Sequence, residues 1–245
     1  MLLRPATNFD IRPMATLSAK AFIDDPVEAY LYPGRREYPE LFVDAQEELL
    51  RASFDKGCGA AIVVTLEPSD ERWKGSPDIV GFCIFIRTGI WRPRPFIEEP
   101  EEPSEDGKDT ATAASPAHAM TDLAHYEAFE ETCRSKDAKV WTEEGFKLPK
   151  ARYEFCDLGV DPAFQARGVG RMMVAFIQEK ALQEGVPVHT TSSPSGQGFY
   201  RKMGFRKVGR WKWCPEPNME WDVMHWTPTV HRQDGCAAES LNGVV

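Results

Sequence analysis

The sequence predicts a mixed α/β domain built around one sheet, and three observations carry that prediction. Short apolar, β-branched runs recur along the chain, the clearest being residues 60–67 and 78–87. Amphipathic stretches lie between them without the strict alternation of a doubly wound sheet. A strand over residues 152–160 runs into a turn with two glycines and then into an apolar helix. Hydrophobic residues make up 42% of the 245 and charged residues 27%, enough apolar material for a single large core.

The elements follow in order. Residues 1–4 read as a short strand. Over 11–22, Ile11, Met14, Ala15 and Ala21/Phe22 form an apolar stripe with Leu17 off it, and Asn8 or Asp10 is placed to cap the helix. Asp24 and Asp25 precede Pro26, which signals a short helix. A longer helix covers 37–56 and stops at Gly57. The runs 60–67 and 78–87 read as neighbouring strands joined by a loop.

The pattern then breaks. Residues 88–150 read as a long insertion between two strands, the third and the fourth. Within it, 98–109 holds seven acids against one lysine, a net of -6 in a chain whose total is -9. That composition predicts a flexible, solvated stretch. A helix after it carries Leu123, Tyr126, Phe129 and Cys133 on one side, a face expected to dock on the domain. Past the strand at 152–160, the helix following the glycine turn carries Val169, Met172, Met173, Phe176 and Ile177, and Gly185 ends it. A strand at 186–192, a short helix ending near Gly204 and a hairpin over 206–213 and 219–226 complete the domain, read as residues 1–228. Residues 229–245 read as a flexible tail.

Composition excludes some functions. A net charge of -9 argues against a general nucleic-acid binder. No stretch approaches the roughly 20 apolar residues of a membrane span, and the first residues lack a signal peptide's apolar core. The six cysteines form no CxxC pair and read as reduced thiols. His118, His125 and His231 form no metal set, so no metal is expected. Together these predict a cytoplasmic protein without nucleic-acid or membrane partners, as a monomer or homodimer.

The turn at 165–170, Gln-Ala-Arg-Gly-Val-Gly, is the chemical clue. Glycines at a helix entrance leave backbone N–H groups uncovered, and the helix dipole adds partial positive charge, which suits phosphate. A P-loop is excluded because Arg171-Met172 follows Gly170 where Lys-Ser/Thr is needed, and a dinucleotide fingerprint because Met173 stands at its third glycine. The spacing of Gln165, Gly168 and Gly170, with Tyr200 four residues before Gly204-Phe205, resembles the two signatures of the GNAT superfamily of acyl-CoA-dependent N-acyltransferases. The openings LRPAT and AFIDDP also look like members of that family.

The resemblance implies a central, mostly antiparallel sheet flanked by helices. It implies acetyl-CoA (coenzyme A) as cosubstrate, with its pyrophosphate on the backbone of Gln165, Ala166, Arg167, Gly168, Val169 and Gly170, helped by Arg171. It implies that Leu158, Gly159 and Val160 pair with the pantetheine arm. Bulk at Gly168 or Gly170 is expected to obstruct the phosphate. Ser193 stands where many relatives carry an asparagine that orders the cofactor.

Acetyl transfer to an amine needs a base for the amine proton and an acid for the thiolate. Tyr200 is the expected acid. Glu154, eleven residues before Gln165, or water is the expected base. Asp157, three residues further on, should point to the opposite face of the strand and is a poorer candidate. His189 reads as a hydrogen-bonded core histidine. Asp24, Asp25 and Trp213, with Trp211 and Trp221 nearby, are expected at the site of a cationic amine acceptor, either a small molecule or a protein. Capping by the acids and core packing by the tryptophans are open alternatives. The other functional class in play is a non-catalytic acyl-CoA sensor or protein-interaction module.

Overall fold

The structure is a computed structural model and describes residues 1–55, 60–89, 120–134, 140–212 and 220–228. The acidic stretch 98–109, the tail 229–245, Gly57 and Trp213 lie outside the described residues.

Among the described residues, eight strands form one sheet: β1 (Leu2–Pro5), β2 (Ala60–Thr65), β3 (Ile79–Thr88), β4 (Val140–Thr142), β5 (Arg152–Val160), β6 (Val188–Ser192), β7 (Arg206–Lys212) and β8 (Glu220–Trp226). Their order across the sheet is β1-β2-β3-β5-β6-β8-β7-β4. Every pairing is antiparallel except β5 with β6. That parallel ladder covers only Tyr153 opposite Val188 and Glu154 opposite His189. Beyond Glu154 the two strands separate, and the sheet opens into a gap at its centre.

Among the described residues, six helices cover the two faces: α1 (Ile11–Ala21), α2 (Pro26–Leu31), α3 (Pro39–Asp55), α4 (Leu123–Arg134), α5 (Val169–Glu184) and α6 (Pro194–Lys202). On one face, α5 and α6 bury Val169, Met173, Ile177 and Tyr200 against Val64, Phe85, Phe155 and Met224. On the other, α1 packs Met14, Ala15 and Leu17 against Val63, Phe82 and Ile84. Beside it, Val27 and Leu31 of α2 and Phe42 of α3 meet Val208, Trp211 and Val223.

Several local readings shift. Leu17 is only 3% exposed and belongs to the core rather than lying off the α1 stripe. Asp10 does not cap α1 through its side chain; its carboxylate instead accepts bonds from Arg4 at 2.7 and 2.8 Å and from the Thr7 N–H at 2.7 Å. On α5 the core stripe runs through Val174 and Ala181, while Met172 and Phe176 sit at its margin. The three-residue strand β4 is too short for periodicity to reveal it. It pairs with the outer edge of β7, so part of the insertion extends the sheet. Helix α4 docks through Tyr126 and Phe129, whose ring lies 6.4 Å from that of Trp211, but Leu123 points to solvent at 49% exposure.

Candidate acyl-transfer site

The strand β5 enters the gap and then turns into the glycine loop. Asp161 caps a short 3-10 turn (Pro162–Phe164) by accepting a bond from the Ala163 N–H at 2.8 Å. The chain then passes through Ala166 at φ 58° and Gly168 at φ 89° before α5 begins. Two left-handed residues so close together turn successive N–H groups toward one side, a concavity suited to an anion. A Cβ on Gly168 would meet no heavy atom within 4 Å, so the space beside it is open. Gly170 differs: its Cβ would stand 3.2 Å from the Phe199 ring, so its smallness serves the packing of α5 on α6. Gln165 donates from Nε2 to the Val160 carbonyl at 3.3 Å. Arg167 and Arg171 are exposed at the mouth of the loop.

Upstream of the loop, β5 pairs with β3 along its whole length. Its other edge, from Phe155 to Val160, has no strand partner among the described residues. Along Leu158–Val160, alternate residues therefore present backbone polar groups toward the gap, as a strand ready for addition does.

Tyr200 sits on the α5–α6 face, 7% exposed, with its ring against Phe155 and Phe205. Burial raises its hydroxyl pKa first, helped by Cys83 and Asp157, while a hydrogen bond with the Thr190 side chain opposes the rise. The phenol is therefore held protonated. Ser193 precedes α6, and its hydroxyl lies 2.9 Å from that of Ser195.

The opposite face holds the carboxylates. Glu154 is bonded by Arg152 at 2.6 and 3.1 Å. Asp157 lies on the same face as Glu154, contrary to the simple alternation expected. The reason is a bulge. Phe155 is opposite Phe85 and Asp157 is opposite Ile84, so Cys156 is an extra residue that resets the alternation. Ile84 packs against α1, which fixes the side to which Asp157 is turned.

Around Asp157 stand Asp25 and Glu28 of α2. Asp25 caps α2 by accepting a bond from the Val27 N–H at 2.8 Å, so it does take the capping role. Glu28 accepts a bond from Gln46 at 3.1 Å, and Gln46 in turn accepts one from Ser18 at 2.7 Å. Burial, then the charges of Asp25 and Asp157, raise the Glu28 pKa to about 8. Burial, with Asp25, raises Asp157 to about 7 against a bond from the Leu158 N–H. Sequence reasoning missed Glu28, because a glutamate inside a short helix reads as an ordinary surface residue.

The remaining expected residues separate from this group. Asp24 is exposed and ion-paired with Arg36. Trp211 is buried and meets Trp221 edge to face at 5.8 Å, so both belong to the core. His189 is buried beside His225, which burial and the charges of Arg206 and Arg152 push down to about 4. Among the described residues, no three His, Cys, Asp or Glu side chains are arranged to hold a metal ion. No helix among them is long and apolar enough to cross a membrane.

Residues 133–207 match a family model described as an acetyltransferase (GNAT) domain, a stretch holding the glycine loop, Tyr200 and Gly204-Phe205. The chain is 25% identical over 212 residues to an acetyltransferase of Stachybotrys chartarum, covering 84% of this chain and 81% of that protein. It is 34% identical over 64 residues to the N-alpha-acetyltransferase RimI of Mycobacterium tuberculosis, 26% of this chain and 40% of that one. In fold it resembles a histone acetyltransferase HPA2-related structure from Corynebacterium glutamicum, with a TM-score of 0.53 at 14% identity over 93% of this chain and 96% of that one. The resemblance read from the two motifs is thus matched by the family's domain and by its fold.

Proposed function

We propose, from a GNAT fold whose residues 133–207 match the family's acetyltransferase domain, that the protein transfers an acetyl group from acetyl-CoA to an amine. The observation that carries this reading is the continuity of two features on one strand. The free edge of β5 leads directly into the anion-binding loop, so one extended ligand could pair with the first and end its phosphates on the second.

In this reading the backbone from Gln165 to Gly170 holds the pyrophosphate, with Arg167 and Arg171 adding charge. Leu158, Gly159 and Val160 hold the pantetheine arm. The thioester then lies in the gap between β5 and β6, within reach of Tyr200 from one face and of the acceptor from the other. Tyr200 protonates the departing thiolate. A carboxylate on β5, or water, takes the amine proton. The acidic residues Asp25, Glu28 and Asp157 favour an acceptor that is cationic in solution.

Release of free thiol from acetyl-CoA with a panel of amines tests the proposal. Amine-dependent release supports it. Binding of coenzyme A with no release for any amine would favour the acyl-CoA sensor instead.

A further inference from the structure

We propose that Asp157, turned onto the acceptor face by the bulge at Cys156, is the residue that takes the proton of the attacking amine, with Asp25 as a positioning residue. This rests on the acetyl-transfer reading above.

Two carboxylates of β5 face the acceptor side, and their surroundings differ. Glu154 is bonded by the Arg152 guanidinium, and both side chains are 17% exposed. The Arg152 guanidinium thus already engages the Glu154 carboxylate. It also lies at the closed end of the gap, on the last rung that β5 shares with β6. Asp157 lies three residues further on, where the strands have separated and beside the free edge at Leu158.

Among the described residues, the charged groups that shift Asp157 include no cation. Asp25 and Glu28 of α2 stand on its own face, and the Cys83 thiol and the Tyr200 hydroxyl couple to it electrostatically from the α5–α6 face. Arg35 lowers Glu28, but its Nε donates to the Ile23 carbonyl at 2.7 Å. Burial and like charge therefore hold Asp157 at about 7. A base in that range is half ionised at neutral pH and strong enough to accept a proton from an amine losing it to bond formation.

The amine nitrogen attacks the thioester carbonyl carbon, forming the C–N bond as the C–S bond breaks. The nitrogen's proton goes to the Asp157 carboxylate, and the thiolate takes the proton of the Tyr200 hydroxyl. Proton exchange between the two residues through solvent resets both. The products are an amide and free coenzyme A, and no oxidant or reductant is needed.

The test compares kcat/KM with the best amine from the panel, from about pH 5.5 to about pH 9, in the wild type, Asp157→Asn, Glu154→Gln and Asp25→Asn. Coenzyme A affinity is measured alongside as the check on folding. The wild-type rate should rise with pH through a midpoint near 7. Asp157→Asn should lose that limb and about two to four orders of magnitude, with coenzyme A affinity unchanged. Glu154→Gln should keep the limb. Asp25→Asn keeps a capping oxygen and removes a negative neighbour, so the midpoint should move to lower pH, a shift that a purely structural role would not produce. An Asp157→Asn enzyme that keeps the limb, or a Glu154→Gln enzyme that alone loses it, overturns the proposal. If Asp157→Asn does not fold, Asp157→Glu decides: it should retain a pH-dependent limb at reduced kcat, and a flat profile would count against Asp157. A wild type that binds coenzyme A but acetylates no amine removes the acetyl-transfer reading, and this proposal with it.

Discussion

Replacing Asp157 by asparagine should stabilise the protein at alkaline pH and leave it almost unchanged in acid. The structure places this carboxyl among protein atoms beside two other acids, with a single backbone N–H as its hydrogen-bond donor, and its pKa rises from 3.8 to about 7. A raised acid pKa means that the folded chain holds its proton longer than the unfolded chain. Stability is therefore complete below about pH 4, falls as pH rises, and reaches its lower plateau above about pH 7. At 1.36 kcal/mol per pH unit the rise corresponds to about 4 kcal/mol, and partial exposure to the open gap screens this to roughly 2 kcal/mol. The asparagine variant lacks that loss, and it also relieves Glu28, which Asp157 pushes upward. For a domain of this size, about 2 kcal/mol is a difference in melting temperature of about 4 to 8 °C. Thermal unfolding followed by circular dichroism from about pH 4 to about pH 8.5 reads it directly. A melting-temperature difference that stays constant with pH, or a variant less stable at the alkaline end, would refute the reasoning.

Other outcomes are equally checkable. Tyr200→Phe should lower turnover by about two to four orders of magnitude while coenzyme A affinity barely changes, since the ring remains in place; a loss of only a few-fold would mean that Tyr200 packs and does not donate. Gly168→Ala should cost about 1–2 kcal/mol, because φ 89° is unfavourable for a residue with a Cβ even though the space is open, and chemical denaturation measures it. Gly168→Glu should also abolish the rise in melting temperature that coenzyme A produces, and a folded variant with full cofactor affinity would exclude this loop as the pyrophosphate site. Phe129→Ala should weaken the docking of α4 on Trp211, giving faster hydrogen exchange over 123–134 with little change over β5; equal exchange in both proteins would contradict that packing.

The sequence made much of this legible because long periodic segments and glycine signals are local. The strands β2 and β3 could be read because β-branched runs bounded by turn residues have few alternatives. Helix α5 could be read because it has a glycine at both ends, and Gly185 is indeed left-handed at φ 67°. What stayed hidden is non-local. Strand β4 exists because β7 offers it an edge, and three residues carry no period. Gly170 looked like a phosphate contact, but the Phe199 ring that limits it arrives from another helix. Glu28 carries no local signal, and only the tertiary approach of Gln46 and Asp157 sets it apart as a half-buried acid.

The bulge at Cys156 joins these points into one mechanical idea. Without it, Asp157 would follow strict alternation from Phe155 and lie on the α5–α6 face with Cys83 and Tyr200, and the acceptor side would keep only the paired Glu154. One inserted residue moves every side chain beyond it to the other face. The same insertion sits where β5 leaves β6, between the last shared rung at Glu154 and the free edge at Leu158. The free edge of β5 and the turn of Asp157 onto the α1 face thus begin at the same place along the strand. In the mechanism proposed above, the two residues act from opposite sides of the sheet: Tyr200 from the face that holds α5, and Asp157 from the face that holds α2. That division suits the proposed direct transfer, in which each substrate would approach from its own side of the sheet.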